Sequence, residues 1–468
     1  MQIPILNGAY TDADISVRTL YPTNLIPVIE QSGVSDSFLR PADGIVQNGT
    51  GPGVDRGGVV WNDRAYRVMG SKFVEIDESG NVTTIGDVGN DGKFVSMDYS
   101  FDLLGIASNG NLFYYDLTTL SQNVDPNLGT VLDVMWIDGF FMTTDGEFLV
   151  VTELNDPFSV NPLKYGSSEV DPDPILAVLK LRNEAYALNR YTIEIFNNIG
   201  GDFFPFQRVN GAQIPKGVIG TKACTIYMHE FVAFVGGGRN EQNSIYLAVN
   251  GIPSKIATKE IENLLETFTD DQLSLIKVES RNERAGEYLY IHLPDRTIVY
   301  DHISSKIFQQ PVWFQLSSHV NGFARYEAQS FIYAYNKWLV GDPTSTNIGF
   351  LDATISSQWG NDVSWEFGTK IMYNGSIGMI VNELELVAIT GRAALGKDPM
   401  ISTSYSTDGL NWSQDKYISA GKIGDTTKRL RWFRQGYFRN WRVQRFRGDT
   451  SAPMSFLRLE ATLEGLQR

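Results

Sequence analysis

Along most of the chain, hydrophobic residues fall in short runs that alternate with polar residues or are rich in β-branched and aromatic side chains. Short stretches of Asn, Asp, Gly and Ser separate the runs. This pattern predicts strands joined by tight turns, because those residues accept the positive φ of short hairpin loops. The first unit has runs at 58–61, 65–68, 73–76 and 82–85, with Asn62-Asp63 and Ser79-Gly80-Asn81 between them. Similar units follow at 94–116, 131–151, 176–196, 225–249, 275–300 and 323–353. Four short strands in about 35–45 residues is the size of a propeller blade. Closing such units into a ring removes the open sheet edges that a flat array would leave. The expected fold is therefore all-β, a six- or seven-bladed β-propeller over 58–360, with a large β-sandwich as the alternative. The seventh unit is read with its first strand at 323–326.

A helical period appears in one place. Ile261, Leu264, Leu265 and Phe268 share a face, Thr258 can cap the start, and acids occupy the first turn. Thr269-x-x-Gln272 offers a second capping box. A helical insertion at about 257–273, packed on the outer side of a blade, is expected. Residues 1–57 carry Pro22, Pro27, Gly33, Pro41, Gly44, Gly51, Pro52 and Gly53 without any period. They read as an irregular N-terminal arm draped over a domain or a neighbouring subunit. From 361 to 468 the repeat is lost. Runs at 365–369, 383–389, 400–406, 412–418 and 456–461 predict a separate C-terminal β-sandwich-like domain. Its hairpin at Ser406-Thr407-Asp408-Gly409-Leu410-Asn411-Trp412 places Asp-Gly at the tight turn.

Composition narrows the functional classes. The 468 residues carry a net charge of −15, which argues against a protein whose main task is to coat nucleic acid. A single cysteine, Cys224, allows no intrachain disulfide and no multi-thiolate zinc site; it reads as a small buried hydrophobe. The start, MQIPILNGAY, has no basic region followed by a long apolar one, so no secretory leader is expected. No apolar run is long enough to predict a membrane-spanning helix.

Candidate chemistry is sparse. The four histidines, His229, His292, His302 and His319, are scattered; His292 reads as mid-strand, and His302 and His319 as turn residues. Gly236-Gly237-Gly238-Arg239-Asn240 follows a strand but lacks the Lys-Ser/Thr and the helix of a phosphate loop. Asp171-Pro172-Asp173-Pro174 does not continue into a calcium-loop spacing. No catalytic residue, cofactor or metal is expected, and the chain reads as a binding or structural protein rather than an enzyme.

The most distinctive stretch runs from Lys428 to Arg447. It holds eight Lys or Arg and no Asp or Glu, which leaves the rest of the chain at about −23. Aromatic residues interleave with the arginines. Arg429, Arg431, Trp432, Arg434, Tyr437, Arg439, Trp441 and Arg442 are the candidate subunit or partner interface, because Arg, Trp and Tyr are enriched at such contacts. A solvated strand face and a DNA contact are the other readings. The interface reading expects that reversing Arg439 and Arg442 to Glu weakens assembly and leaves the monomer folded.

Several ordered motifs carry a resemblance. Tyr21-Pro22-Thr23-Asn24, Phe38-Leu39-Arg40-Pro41-Ala42-Asp43-Gly44-Ile45, Asp55-Arg56-Gly57-Gly58-Val59-Val60-Trp61-Asn62 and Tyr66-Arg67-Val68-Met69-Gly70 open the series. Tyr290-Ile291-His292-Leu293-Pro294 with Val299-Tyr300-Asp301, Ile355-Ser356-Ser357-Gln358 and the Asp408 hairpin continue it. Together they resemble the packaged-DNA stabilisation, or tail hub (head-completion), family of short-tailed, Salmonella-podovirus-like phages, over nearly the whole length. The resemblance implies a structural protein of the virion tail, assembled in the host cytoplasm. It implies a homohexamer that closes the portal channel after packaging and connects a portal-adaptor protein to the tail needle and tailspikes. Double-stranded DNA would pass through the assembly without sequence-specific binding, and no membrane contact is implied. A tail-associated glycan-binding or depolymerising propeller is the alternative.

Overall fold

The computed structural model describes residues 2–5, 21–29, 35–283, 286–320, 324–375 and 377–466. Seven four-stranded antiparallel sheets stand in a circle as blades. Their inner strands are Asp55–Trp61, Ser96–Tyr99, Asp133–Ile137, Ile175–Leu181, Cys224–Tyr227, Lys277–Glu283 and Gln329–Ala334. Each inner strand lies against the next, and the seventh lies against the first. The fold is thus a seven-bladed propeller followed by a C-terminal β-sandwich.

Blade seven is completed from the other end of the chain. Its fourth strand is Gly44–Thr50, which pairs with Asn347–Asp352 in the register Asn347↔Thr50 to Asp352↔Gly44. The stretch expected as an irregular arm therefore supplies the closing strand of the ring. It also supplies Leu25–Val28 and Phe38–Pro41, which pair with each other and extend a sheet of the sandwich. Residues 6–20 and 30–34 of that stretch lie outside the described residues.

The first three strands of blades one to six fall close to where the hydrophobic runs put them. The fourth strands of blades two to six were not anticipated. Blade seven also departs from expectation: residues 324–328 form no strand, and the inner strand is Gln329–Ala334. Phe323, part of the expected strand, lies outside the described residues. The helical insertion is two short helices, Lys259–Glu266 and Asp270–Ser274. The Thr269–Gln272 capping box forms, whereas the Thr258 side chain makes no capping bond. Ile261, Leu265 and Leu273 join Leu247, Leu289 and Trp313 in the core between blades five and six. His302 opens a further helix, His302–Phe308, capped by the Asp301 carboxylate, where a turn was expected.

The sandwich packs a larger sheet, built around Phe456–Gly465 and Met379–Ala388, on a smaller one built around Trp441–Asp449 and Met400–Ser406. Leu384, Trp432, Phe367, Phe446 and Phe456 fill the space between them. Gln2–Ile3 pairs with Phe456–Gly465, so the first and last strands of the chain lie side by side. The sandwich is riveted to blade six through Thr23 and Asn24. The Thr23 N–H donates to the Glu366 carbonyl (2.8 Å), and the Asn24 N–H donates to the Gln315 carbonyl (2.9 Å). Asn24 is 2% exposed; its amide donates to the carbonyls of Ser317 (2.8 Å) and Ser364 (2.7 Å) and accepts from the Ser317 N–H. No helix among the described residues is long and apolar enough to cross a membrane.

The closing strand generates a stability test. Ile45 is fully buried, in a cluster with Tyr290, Phe314 and Val340 of blades six and seven. Ile45→Ala is expected to destabilise the chain by about 2–5 kcal/mol, read as a lower denaturant midpoint. A midpoint unchanged from wild type would contradict the closing role.

Candidate functional site

Two regions hold the side chains that bear on function: the basic strip of the sandwich and the ring of inner strands at the propeller axis. The strip proves heterogeneous. Arg442 is fully buried. It donates from Nε and Nη2 to the Gln444 amide oxygen (3.0 and 2.7 Å) and from Nη1 to the Gln435 carbonyl, and its guanidinium stacks 3.8 Å over the Tyr405 ring. Burial pulls its pKa down to about 10. Trp432 is also buried, donating to the Lys416 carbonyl (2.9 Å) and packing edge-on against Phe446. The strand Trp441–Asp449 turns Arg442 to the same face as Phe446 of the sandwich core, so reversing its charge is not compatible with leaving the monomer folded.

Arg429 and Arg431 face solvent more openly, yet each has an acid in its own chain. Arg429 grips Glu385 with two donors, and Arg431 bonds Glu383. Both acids lie on the neighbouring strand, where Glu385 stands opposite Arg431 and Glu383 opposite Phe433, so each arginine reaches its acid along a diagonal. Trp441 is half-buried, opposite Tyr373. The exposed members with no acid partner among the described residues are Arg434, Tyr437 and Arg439, to which the structure adds Phe433, 56% exposed. Arg434 is held at φ 53°, its N–H donating to the Asn382 carbonyl and its own carbonyl accepting from Lys416 Nζ. Of the eight strip residues, then, three present free side chains, on a backbone fixed by neighbouring strands.

The inner strands carry acids that the hydrophobic pattern does not single out. Asp98 accepts the Trp136 N–H of the next blade (2.6 Å), Asp133 the Val178 N–H (3.0 Å), and Glu279 the Ser330 N–H (2.9 Å). Each bond staples one blade to its successor. At the seam between blades seven and one, Asp55 and Arg67 form an ion pair with no solvent exposure (2.8 Å). The Ser330 hydroxyl also donates to Asp55, and Arg67 donates to the Ser330 carbonyl. Lys277 reaches the Ser330 hydroxyl (2.7 Å) and Glu279 (2.5 Å), and its ammonium lies 5.1 Å from the centre of the Phe94 ring.

His292 belongs to this network. Nδ1 meets the Thr297 hydroxyl and Nε2 meets Glu279 (3.2 Å). Burial lowers its pKa and so favours the neutral ring. Burial would raise Glu279, but the Lys277 charge and the His292 hydrogen bond outweigh it and hold the carboxyl at about 2. The other histidines serve no common site: His229 is exposed in a turn, and His302 sits against Tyr227, Phe231 and Tyr300. Cys224 is buried, and burial pushes its thiol far above the usual range. Asp173 accepts from the N–H groups of Tyr191 and Thr192, and Asp171 pairs with Arg239, so this acidic loop braces its neighbours. No group of acidic, His and Cys side chains among the described residues has the arrangement of a metal site.

Comparison with known proteins agrees with this architecture. The sequence model of the family described as "Bacteriophage P22 Gp10, beta-propeller" matches residues 1–356. That of "Bacteriophage P22 Gp10, beta-sandwich" matches 364–464. Over 485 aligned positions the chain is 26% identical to the tail hub protein gp10 of Salmonella phage P22, covering 99% of both chains. Among solved structures, the Neurospora crassa Pan2 WD40 domain aligns at a TM-score of 0.42 and 8% identity, over 66% of this chain and 95% of that one. The computationally designed Ika8 protein aligns at 0.39 and 11%, over 65% and 99%.

Two tests follow from this geometry. Arg442→Glu places an uncompensated charge in the sandwich core and is expected to abolish its cooperative unfolding. Arg439→Glu, on an exposed turn, is expected to change stability by no more than about 0.5 kcal/mol; equal effects in thermal melts would refute the assignment. The second test is acid sensitivity. A carboxylate depressed in the folded chain stabilises it above the ordinary value near 4.5, and that contribution is lost as pH falls from there toward 2. Glu279→Gln is therefore expected to be less stable than wild type at neutral pH. The gap should close across that acidic window in denaturant titrations at successive pH values.

Proposed function

The chain belongs to the family of bacteriophage P22 Gp10, and on that premise we propose that it works as a structural tail hub of a phage virion. In this reading it completes the head after genome packaging, closes the portal channel so that DNA is retained, and joins a portal-adaptor ring to the tail needle and tailspikes. It does so as a ring of six copies and catalyses no reaction. The observation that carries the reading is the colinear match, propeller and sandwich in order, to a tail hub protein over 99% of both chains.

The physical chemistry is compatible with that role. A net charge of −15 repels nucleic acid at long range, so an assembly of such chains lets DNA slide past without sticking. The propeller body, 58–360 with its insertion at about 257–273, and the C-terminal domain, 361–468, offer two platforms among which partners can be divided. The arm, 1–57, ties the two together through Thr23, Asn24 and the closing strand. Within the strip, Phe433, Arg434, Tyr437 and Arg439 are the side chains that meet a neighbouring copy or partner. Phe433 and Tyr437, with two side-chain torsions each, lose little conformational freedom when they bind, and the arginines add charge and hydrogen-bond donors.

The test uses phage particles assembled without this chain. Heads are expected to fill with DNA and then empty, and to be rescued by adding the purified chain; retained genome is the readout. Heads that keep their DNA yet fail to attack a capsule would replace this reading with a depolymerase. Particles unaffected by the loss would reject a virion role.

A further inference from the structure

A cleft of about 750 Å³ opens at the end of the propeller where the inner strands begin. It is walled by the starts of blades seven and one and by the connection from blade one to blade two. Its charged lining is Asp55, Arg56, Lys93 and Arg325. Asp55 is consumed by Arg67 and Ser330. Arg56 is consumed too: it donates to the carbonyls of Lys93, Gly70 and Gly89, to the Ser108 hydroxyl, and to Asp91. Among the described residues, the guanidinium of Arg325 has one side-chain partner, the neutral Gln329 amide oxygen (3.0 Å), and its Nε is buried without a hydrogen-bond partner. The two acids whose charges reach it are already engaged. Glu279 holds Lys277, His292 and the Ser330 N–H, and Asp342 holds Thr344 and Ser345. Among the described residues, no carboxylate lies within ion-pairing distance of Arg325 or of Lys93 at the rim.

A half-buried guanidinium without an ion pair is costly, and burial lowers the pKa of Arg325 even though the more distant charges of Glu279 and Asp342 oppose the shift. An incoming anion would remove that cost. We propose that this cleft is a binding site for an oxyanion, a phosphate or carboxylate group, with Arg325 as its principal ligand and Lys93 as a second cation at the entrance. Arginine donors in a fork match two oxygens of either group. The inference is independent of the hub reading, because it concerns the chain's own unpaired charge rather than its partners.

Calorimetric titration of the purified full-length chain with inorganic phosphate and, separately, with succinate tests the site, with chloride at matched ionic strength as the baseline. Saturable binding of at least one anion is expected. It should be weakened about tenfold or more by Arg325→Gln and severalfold by Lys93→Gln, and left unchanged by Lys397→Gln, an exposed side chain on the sandwich. Preference for phosphate would point to a phosphorylated ligand, and preference for succinate to an acidic protein segment. No binding beyond the chloride baseline would overturn the proposal, as would Arg325→Gln binding as tightly as wild type. Should Arg325→Gln fail to fold, Lys93→Gln decides: its side chain is exposed, and unchanged affinity in that variant would overturn the site.

Discussion

A circle of sheets has one seam that no neighbouring hairpin can close, and here everything else rests on how that seam is sealed. Gly44–Thr50 crosses from the N-terminal stretch to become the outer strand of blade seven, and Asp55–Trp61 follows at once as the inner strand of blade one. The chain thus binds its last blade to its first with six paired positions on one side. On the other side stands the buried Asp55–Arg67–Ser330 cluster. A buried ion pair is weak evidence of stability in general, because desolvation offsets attraction. Here both carboxylate oxygens of Asp55 are bonded, and Arg67 spends a donor on the carbonyl of the opposing blade. The pair therefore specifies which blades meet. Every other inter-blade face is confined between neighbours only once this seam holds.

The same logic explains which parts of the structure were readable in the linear pattern. Inner and middle strands bury both faces or nearly so, and they appear as runs such as 104–107 or 231–235 between Asn, Asp and Gly turns. Outer strands do not. Leu120–Gln122 and Phe206–Arg208 are three residues long, and Asp156–Ser167 carries two prolines and an irregular register. A strand of that kind is made by its partner, not by its own composition. Gly44–Thr50 is the extreme case: Gly-Ile-Val-Gln-Asn-Gly-Thr has the residues of a turn, and its partner lies roughly 300 positions away.

The basic strip shows the matching limit for site residues. Its charge and aromatic content were evident, but the division into core and surface was not. Arg442 is buried and Arg439 exposed although both sit in the same kind of sequence, because one lies on a core-facing position of Trp441–Asp449 and the other on the turn before it. Glu383 and Glu385, which pair with two of the arginines, come from a strand more than forty residues earlier. The unpaired state of Arg325 was equally hidden. It depends on Glu279 and Asp342 being occupied by other groups, a fact about four separated segments at once. Part of the acidic surplus is likewise spent inside: Asp98, Asp133 and Glu279 fasten blade to blade rather than colouring the surface.

The axis of the propeller has a geometric consequence. Lys277 of blade six meets Phe94, which leads into blade two, and Lys222, which leads into blade five, meets Asp133 of blade three. These contacts skip intervening blades, so side chains bridge the middle of the ring at the end where the inner strands begin. Among the described residues, the axis is thus crossed by side chains at that end. In the ring of copies proposed above, a conduit would then run between propellers rather than along the axis of one, its bore set by the number and tilt of the copies rather than by the number of blades.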